Sequence, residues 1–183
     1  MKFGSLFVVI LMLAIGENVF SQESIFKGPV AYLEVAGAGF STYNINVEHL
    51  IFSKTTWYVN GRAGFGYSSY DGDSDYQIPL GVNVYHGNRN SHPELGLYLT
   101  YSSGHHNHNI GYEYVINTLH FVPSASYRFQ RQNGGVFFRV SYAPGIKLKT
   151  FTDPSPWAGT SKSFFHSFGV ALGYYFNKSE DAD

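Results

Sequence analysis

Four groups of side chains in this chain have the types and spacing to do chemistry. His105-His106-Asn107-His108 puts three imidazoles within four residues, the composition of a loop that could hold Zn²⁺ or Cu²⁺. The tract contains no carboxylate or cysteine, and Glu113 stands at no recognised ligand spacing, so the expectation is at most weak binding at His105, His106 and His108. A hydrolase would need a nucleophile and a base within reach of each other. His166 and Ser167 are adjacent and face opposite sides of a strand, while His120 and Ser124 share a face that is read below as interior. No catalytic residues are assigned. Asp71-Gly72-Asp73-Ser74-Asp75 looks like a calcium-loop fragment, but it lacks the closing bidentate Glu and reads as a polar turn. The fourth group is dispersed: Glu34, Glu48, Glu94, Arg62, Arg128 and Arg139, three charges of each sign lying on one face of alternating segments. They are read as paired charges filling a narrow interior.

Those residues sit on elements whose dominant period is two. Tyr43, Ile45, Val47, His49 and Ile51 alternate with Asn44, Asn46, Glu48 and Leu50, and Trp57 to Tyr67 alternates with Tyr58 to Ser68. The same pattern recurs at Tyr76–Val84, Leu95–Tyr101, Leu119–Phe129, Val136–Leu148 and Phe168–Phe176. With the less regular Val30–Gly39 this makes eight strands and no helical period. Pro79, Pro123 and Pro144 fall inside them, where each removes a ladder donor, so bulges or bends are expected there. Connections near Lys54, Asn88–Asn90 and Gln130–Gly134 are short. Those at Ser69–Ser74, Gly104–Tyr112 and Thr150–Ser161 are longer, and the connection near Ser41 alone breaks the alternation. Short turns on one rim and long loops on the other are the layout of an up-and-down barrel.

One face of these strands is Leu, Val, Ile and aromatic throughout. Turned to water, it would far exceed the apolar patch a soluble monomer tolerates. Its aromatics gather at strand ends: Trp57, Tyr127, Phe129, Tyr174 and Phe176 toward the short turns, and Tyr43, Tyr67, Tyr76, Tyr101 and Phe164 toward the long loops. Two such belts mark the two interfaces of a membrane barrel. The opposite face mixes small residues with the six charges, as suits an eight-stranded lumen just wide enough for side chains. The fold class expected is therefore all-β, an eight-stranded antiparallel up-and-down transmembrane β-barrel.

Composition agrees with export and excludes other classes. The chain has 183 residues, 18% aromatic and only 14% charged, with a net charge of −1, which argues against a nucleic-acid binder and against disorder. There is no cysteine, hence no disulfide framework, thiolate metal site or lipoprotein anchor. Lys2 precedes the apolar run Leu6–Ile15, and small Ser21 precedes Gln22, the layout of a secretory signal peptide. The domains expected are a signal peptide at 1–21, a barrel at 22–176 and an acidic tail at 177–183.

The opening Tyr32-Leu33-Glu34 and the alternating last strand Phe168, Val170, Leu172, Tyr174, Phe176 carry a resemblance. Over residues 22–176 the chain resembles the small eight-stranded outer-membrane β-barrel proteins of Gram-negative bacteria, in an uncharacterised branch. That resemblance implies outer-membrane lipid and the barrel-assembly machinery as partners, with the last strand as the assembly signal. The signal normally ends the chain, whereas here Asn177–Asp183 follows it. The function expected is a non-enzymatic envelope barrel with a plugged, charge-paired lumen, acting structurally or through its outward loops on an extracellular partner, without cofactor. The alternatives are a lipid-modifying envelope enzyme on the same barrel and a soluble secreted barrel binding a small apolar ligand.

Overall fold

The computed structural model describes residues 28–70, 73–87, 89–108, 112–151 and 163–176, with backbone alone at 106–108 and 112–114. The segments expected to be a signal peptide, 1–21, and an acidic tail, 177–183, lie outside the described residues.

Ten strand segments follow in chain order: β1 Val30–Ala36, β2 Tyr43–Lys54, β3 Trp57–Tyr70, β4 Asp73–His86, β5 Ser91–His108, β6 Tyr112–Gln130, β7 Gly135–Tyr142, β8 Gly145–Thr150, β9 Phe164–Phe165 and β10 Phe168–Tyr175. All pairings are antiparallel. β1 pairs with β2 and with β10, each of β2 to β5 pairs with its successor, and β6 pairs with both β5 and β7, which closes the sheet. β7 and β8 are one strand interrupted at Ala143-Pro144, and β9 and β10 are one interrupted at His166-Ser167. Counted this way, the architecture is an eight-stranded, closed, up-and-down barrel, as the period of two predicts. Following partners from Val30 to Glu48, Arg62, Gly81, Tyr98 and Val122, and onward through Gly145 and Phe165, the register climbs about ten residues per circuit. A stagger of that size goes with strands leaning about 40° from the barrel axis.

The prolines interrupt the ladders in different ways. Around Pro79, the β3–β4 pairs stop at Ala63–Leu80 and resume at Gly66–Gln77 in unchanged register. Pro123 and Pro144 act together. In the register that joins Phe121 to Ile146 and Ala125 to Tyr142, the two stand opposite each other. The Ala143 amide donates to Ser167 O at 2.8 Å, toward β10. Successive amides alternate sides, so the Pro144 nitrogen faces β6, where an N–H would have continued the ladder. One rung of the seam thus lacks both of its donors.

The connections depart from expectation in three places. Ser69–Ser74 is not a loop: β3 and β4 run on to the pair Tyr70–Asp73, leaving only 71–72 between them. Gly104–Tyr112 is likewise absorbed into strands, which pair up to His108–Tyr112. Aromatic and β-branched residues such as Tyr112, Tyr114 and Val115 favour this extension. Thr150–Ser161 falls largely outside the described residues. The irregular first connection turns inward instead of outward. After β1 the backbone takes positive φ at Ala36 (57°), Gly37 (68°) and Phe40 (59°), making one buried 3-10 turn at Gly37–Gly39. Thr100 Oγ1 donates to Ala38 O at 2.8 Å across the lumen, and the Phe40 ring packs on Phe165 at 4.3 Å. A Cβ on Gly169 would lie 2.6 Å from Gly37 Cα, so the wall is bare where the turn is seated. This segment plugs the long-loop end of the barrel.

Candidate functional site

Alternation puts every second side chain of each strand into the lumen, and the six charges fall on those positions. Glu34, Glu48, Glu94, Arg62, Arg128 and Arg139 are all at most 4% exposed. Unpaired, any one of them would carry a desolvation cost of several kcal/mol. None is unpaired. Arg62 Nη2 pairs with Glu34 Oε2 and Arg128 Nη2 with Glu48 Oε2, both in direct contact. Arg128 Nε lies 2.7 Å from Glu94 Oε2. Arg139 Nη1 reaches Glu48 Oε1 at 2.6 Å and Glu94 Oε1 at 3.1 Å, while its Nη2 lies 3.5 Å from Glu34 Oε1. Charge sums to zero, and Arg139 touches all three carboxylates.

The β2–β3 register places Glu48 opposite Arg62 and Tyr43 opposite Tyr67. The turn itself is Thr55-Thr56 between Lys54 and Trp57, and an irregularity between Leu50 and Phe52 absorbs the extra residue. Opposed in register, Glu48 and Arg62 nonetheless take other ion-pair partners. An eight-stranded lumen is so narrow that strands on opposite walls touch across it. Glu48 therefore meets Arg128 and Arg139 from β6 and β7, and Arg62 turns to Glu34 and to Asn46 Oδ1 at 3.0 Å.

Neutral groups complete the network, and sequence reasoning passed over them. Arg139 Nη2 donates to the Tyr32 hydroxyl at 2.5 Å, which donates to Glu48 Oε1 at 2.6 Å. Asn83 Nδ2 donates to the same carboxylate oxygen at 2.8 Å, and Tyr98 donates to Asn83 Oδ1. Arg128 Nη1 donates to Gln130 Oε1 at 3.1 Å. The guanidinium faces lie on aromatic rings: Arg128 over Tyr85 at 4.5 Å, Arg139 over Tyr32 at 4.7 Å and Arg62 over Tyr98 at 4.8 Å. A signal was available, since Asn44, Asn46, Asn60 and Asn83 all occupy inward strand positions, where asparagine is otherwise depleted. The arrangement holds each charge in place by several contacts and fills the cross-section with side chains.

Among the described residues, the other candidates are not brought together. His105 lies on β5, opposite Ser74 of β4 and Val115 of β6, so the histidine tract belongs to a strand and not to a loop. The side chains of His106 and His108 lie outside those described. Asp73 and Asp75 also fall on a strand, β4. His120 is half-buried in the lumen against Phe40 (5.8 Å) and Phe165 (5.5 Å), with Ser124 farther down the same strand. His166 is exposed on the outer face with its Nδ1 2.6 Å from the Tyr142 hydroxyl, and Ser167 is buried on the opposite side. Phe168, Val170, Leu172, Tyr174 and Phe176 all project outward.

The outward face is the second feature with functional content. Leu33, Ile45, Val47, Leu80, Leu97 and Leu172 are each 47–67% exposed, side by side with similar neighbours around the barrel. At one edge Tyr43, Tyr67 and Tyr76 stand in one register row, and the Tyr67 and Tyr76 rings are 5.2 Å apart. At the other edge Trp57, Tyr127, Tyr174 and Phe176 are exposed. Ten residues of β3 separate Trp57 from Tyr67. At about 3.3 Å per residue and a lean of about 40°, that is about 25 Å along the barrel axis. Comparison with known proteins gave no matching family model, no matching curated protein and no matching solved structure.

Proposed function

We propose that this protein is a small, non-enzymatic outer-membrane barrel, exported through the leader at 1–21 and folded into lipid with the help of the barrel-assembly machinery. The outward apolar band carries the reading. Its height of about 25 Å between two aromatic rows matches the lipid-facing band of outer-membrane barrels. The lumen supports the same reading. In a soluble ligand-binding barrel the apolar residues would line the inside, whereas here Arg128, Arg139, Gln130 and His92 are among the largest fully buried side chains. Their mutual pairing suits a rigid plug better than a passage for solutes. In this reading the extended β3–β4 and β5–β6 hairpins rise from the long-loop rim to the cell exterior, where they meet an extracellular partner, and the Thr55-Thr56 turn faces the periplasm. The protein then serves the envelope structurally or through contacts of those hairpins.

Fractionation with heat-shift electrophoresis tests this. The expected result is recovery in the outer-membrane fraction, extraction only by detergent, and a faster-migrating band in unheated samples. Folded protein recovered from buffer without detergent would favour the soluble barrel instead.

A further inference from the structure

The short-turn rim carries an unbalanced charge. Its described charged residues are Lys54 at the end of β2, Arg89 before β5 and Arg131 after β6, all exposed and none in an ion pair among the described residues. The described carboxylates lie elsewhere, with Glu34, Glu48 and Glu94 inside the lumen and Asp73 and Asp75 at the opposite rim. Between the turns after β4 and β6 opens a polar cleft of about 510 Å³ lined by Asn90, Arg131, Gln132, Asn133 and Gly134. Its walls are tied by the Gln130 amide donating to Asn90 O at 2.8 Å.

The described chain ends beside this cleft. Tyr175 pairs with Gly135, the residue after Gly134, and the Phe176 amide donates to Pro29 O at 2.9 Å on the same rim. Seven residues follow, Asn177–Asp183, bearing Glu180, Asp181 and Asp183 against the single Lys178. These seven residues reach up to about 25 Å, enough to cross the cleft. A segment tethered so closely faces its site at an effective concentration in the millimolar range. We infer that the cationic short-turn rim is a docking surface for a carboxylate-rich segment, and that its occupant is the chain's own acidic tail. The tail carboxylates complement Arg131 and Arg89 across the mouth of the cleft. This inference does not depend on which solvent surrounds the barrel wall.

The absence of cysteine makes the test direct. A variant carrying Asn133→Cys and Asp181→Cys is folded in detergent and oxidised, and intramolecular disulfide formation is timed. Docking by charge makes the reaction about tenfold slower at 1 M salt, where the screening length is about 3 Å, and similarly slower when Arg131→Glu is added. Neutralising the tail by Glu180→Gln and Asp183→Asn leaves the barrel sequence untouched, and it is expected to slow the reaction as well, so the test survives if Arg131→Glu impairs folding. Rates indifferent to salt and to both charge changes would show a tether without a docking site and overturn the inference. So would cross-linked dimers in place of the intramolecular product, since the occupant would then be a second copy.

Discussion

Glu48 and Arg62 face each other in adjacent strands, yet Glu48 is bound by Arg128 and Arg139 from the far side of the barrel. Ladder register thus sets which charges share a height, and the curvature of the wall sets which of them pair. A double-mutant cycle separates the two. Glu48→Ala alone leaves two guanidinium groups short of a carboxylate, a loss on the order of 3–5 kcal/mol for a buried pair. Glu48→Ala with Arg128→Ala is expected to show a coupling above about 1 kcal/mol, and Glu48→Ala with Arg62→Ala one below about 0.5 kcal/mol. Unfolding midpoints in detergent supply the measurement. Strong coupling of Glu48 to Arg62 would mean that neighbouring strands do set the pairing.

Ala36 occupies φ 57° and ψ −122°, a region that suits glycine and strains a residue with a Cβ. Ala36→Gly relieves that strain against a smaller cost in unfolded-chain entropy. The expected outcome is a barrel more stable by about 1 kcal/mol, read from the same denaturation curves.

Gly169 behaves oppositely. Its added Cβ would stand 2.6 Å from the Gly37 backbone and 2.6 Å from Ser141 Oγ. Gly169→Ala is expected to cost about 2 kcal/mol or more, in the range for overpacking a core, and to displace the Gly37–Gly39 turn. Faster amide exchange at Ala38 and Gly39 in the variant would report that displacement.

Much of this was legible from residue order. A period of two exposes strand number and the two faces at once, because each inward position that is charged or small sits between outward positions that are large and apolar. Asn44, Asn46 and Glu48 beside Ile45 and Val47 show how plain that signal is. What stayed hidden depends on residues far apart in the chain. Arg139 meets Glu48 only because the sheet closes, and no local pattern encodes a contact across a lumen. The inward turn at Gly37–Gly39 rests on Thr100 and on the bare wall at Gly169, both distant in sequence. The irregularity at Leu50–Phe52 has no compositional mark, since Ile51 continues the apolar pattern. The hairpins of β3–β4 and β5–β6 were hidden for another reason: Asp, Gly and His read as loop residues, while pairing with neighbouring strands held them extended.

The central claim is that the outward face lies in lipid, and depth-dependent fluorescence quenching tests it most directly. Trp57 marks the short-turn belt, and with Trp157→Phe it is the sole tryptophan of the chain. A second variant moves the fluorophore to mid-band, as Leu97→Trp with Trp57→Phe and Trp157→Phe. Both are folded into vesicles of phospholipids brominated either near the headgroup or deep in the acyl chain. Trp57 should be quenched most by the shallow bromines and the tryptophan at position 97 most by the deep ones. Emission from both positions that stays unquenched by either lipid, with the barrel folded, would contradict the membrane reading.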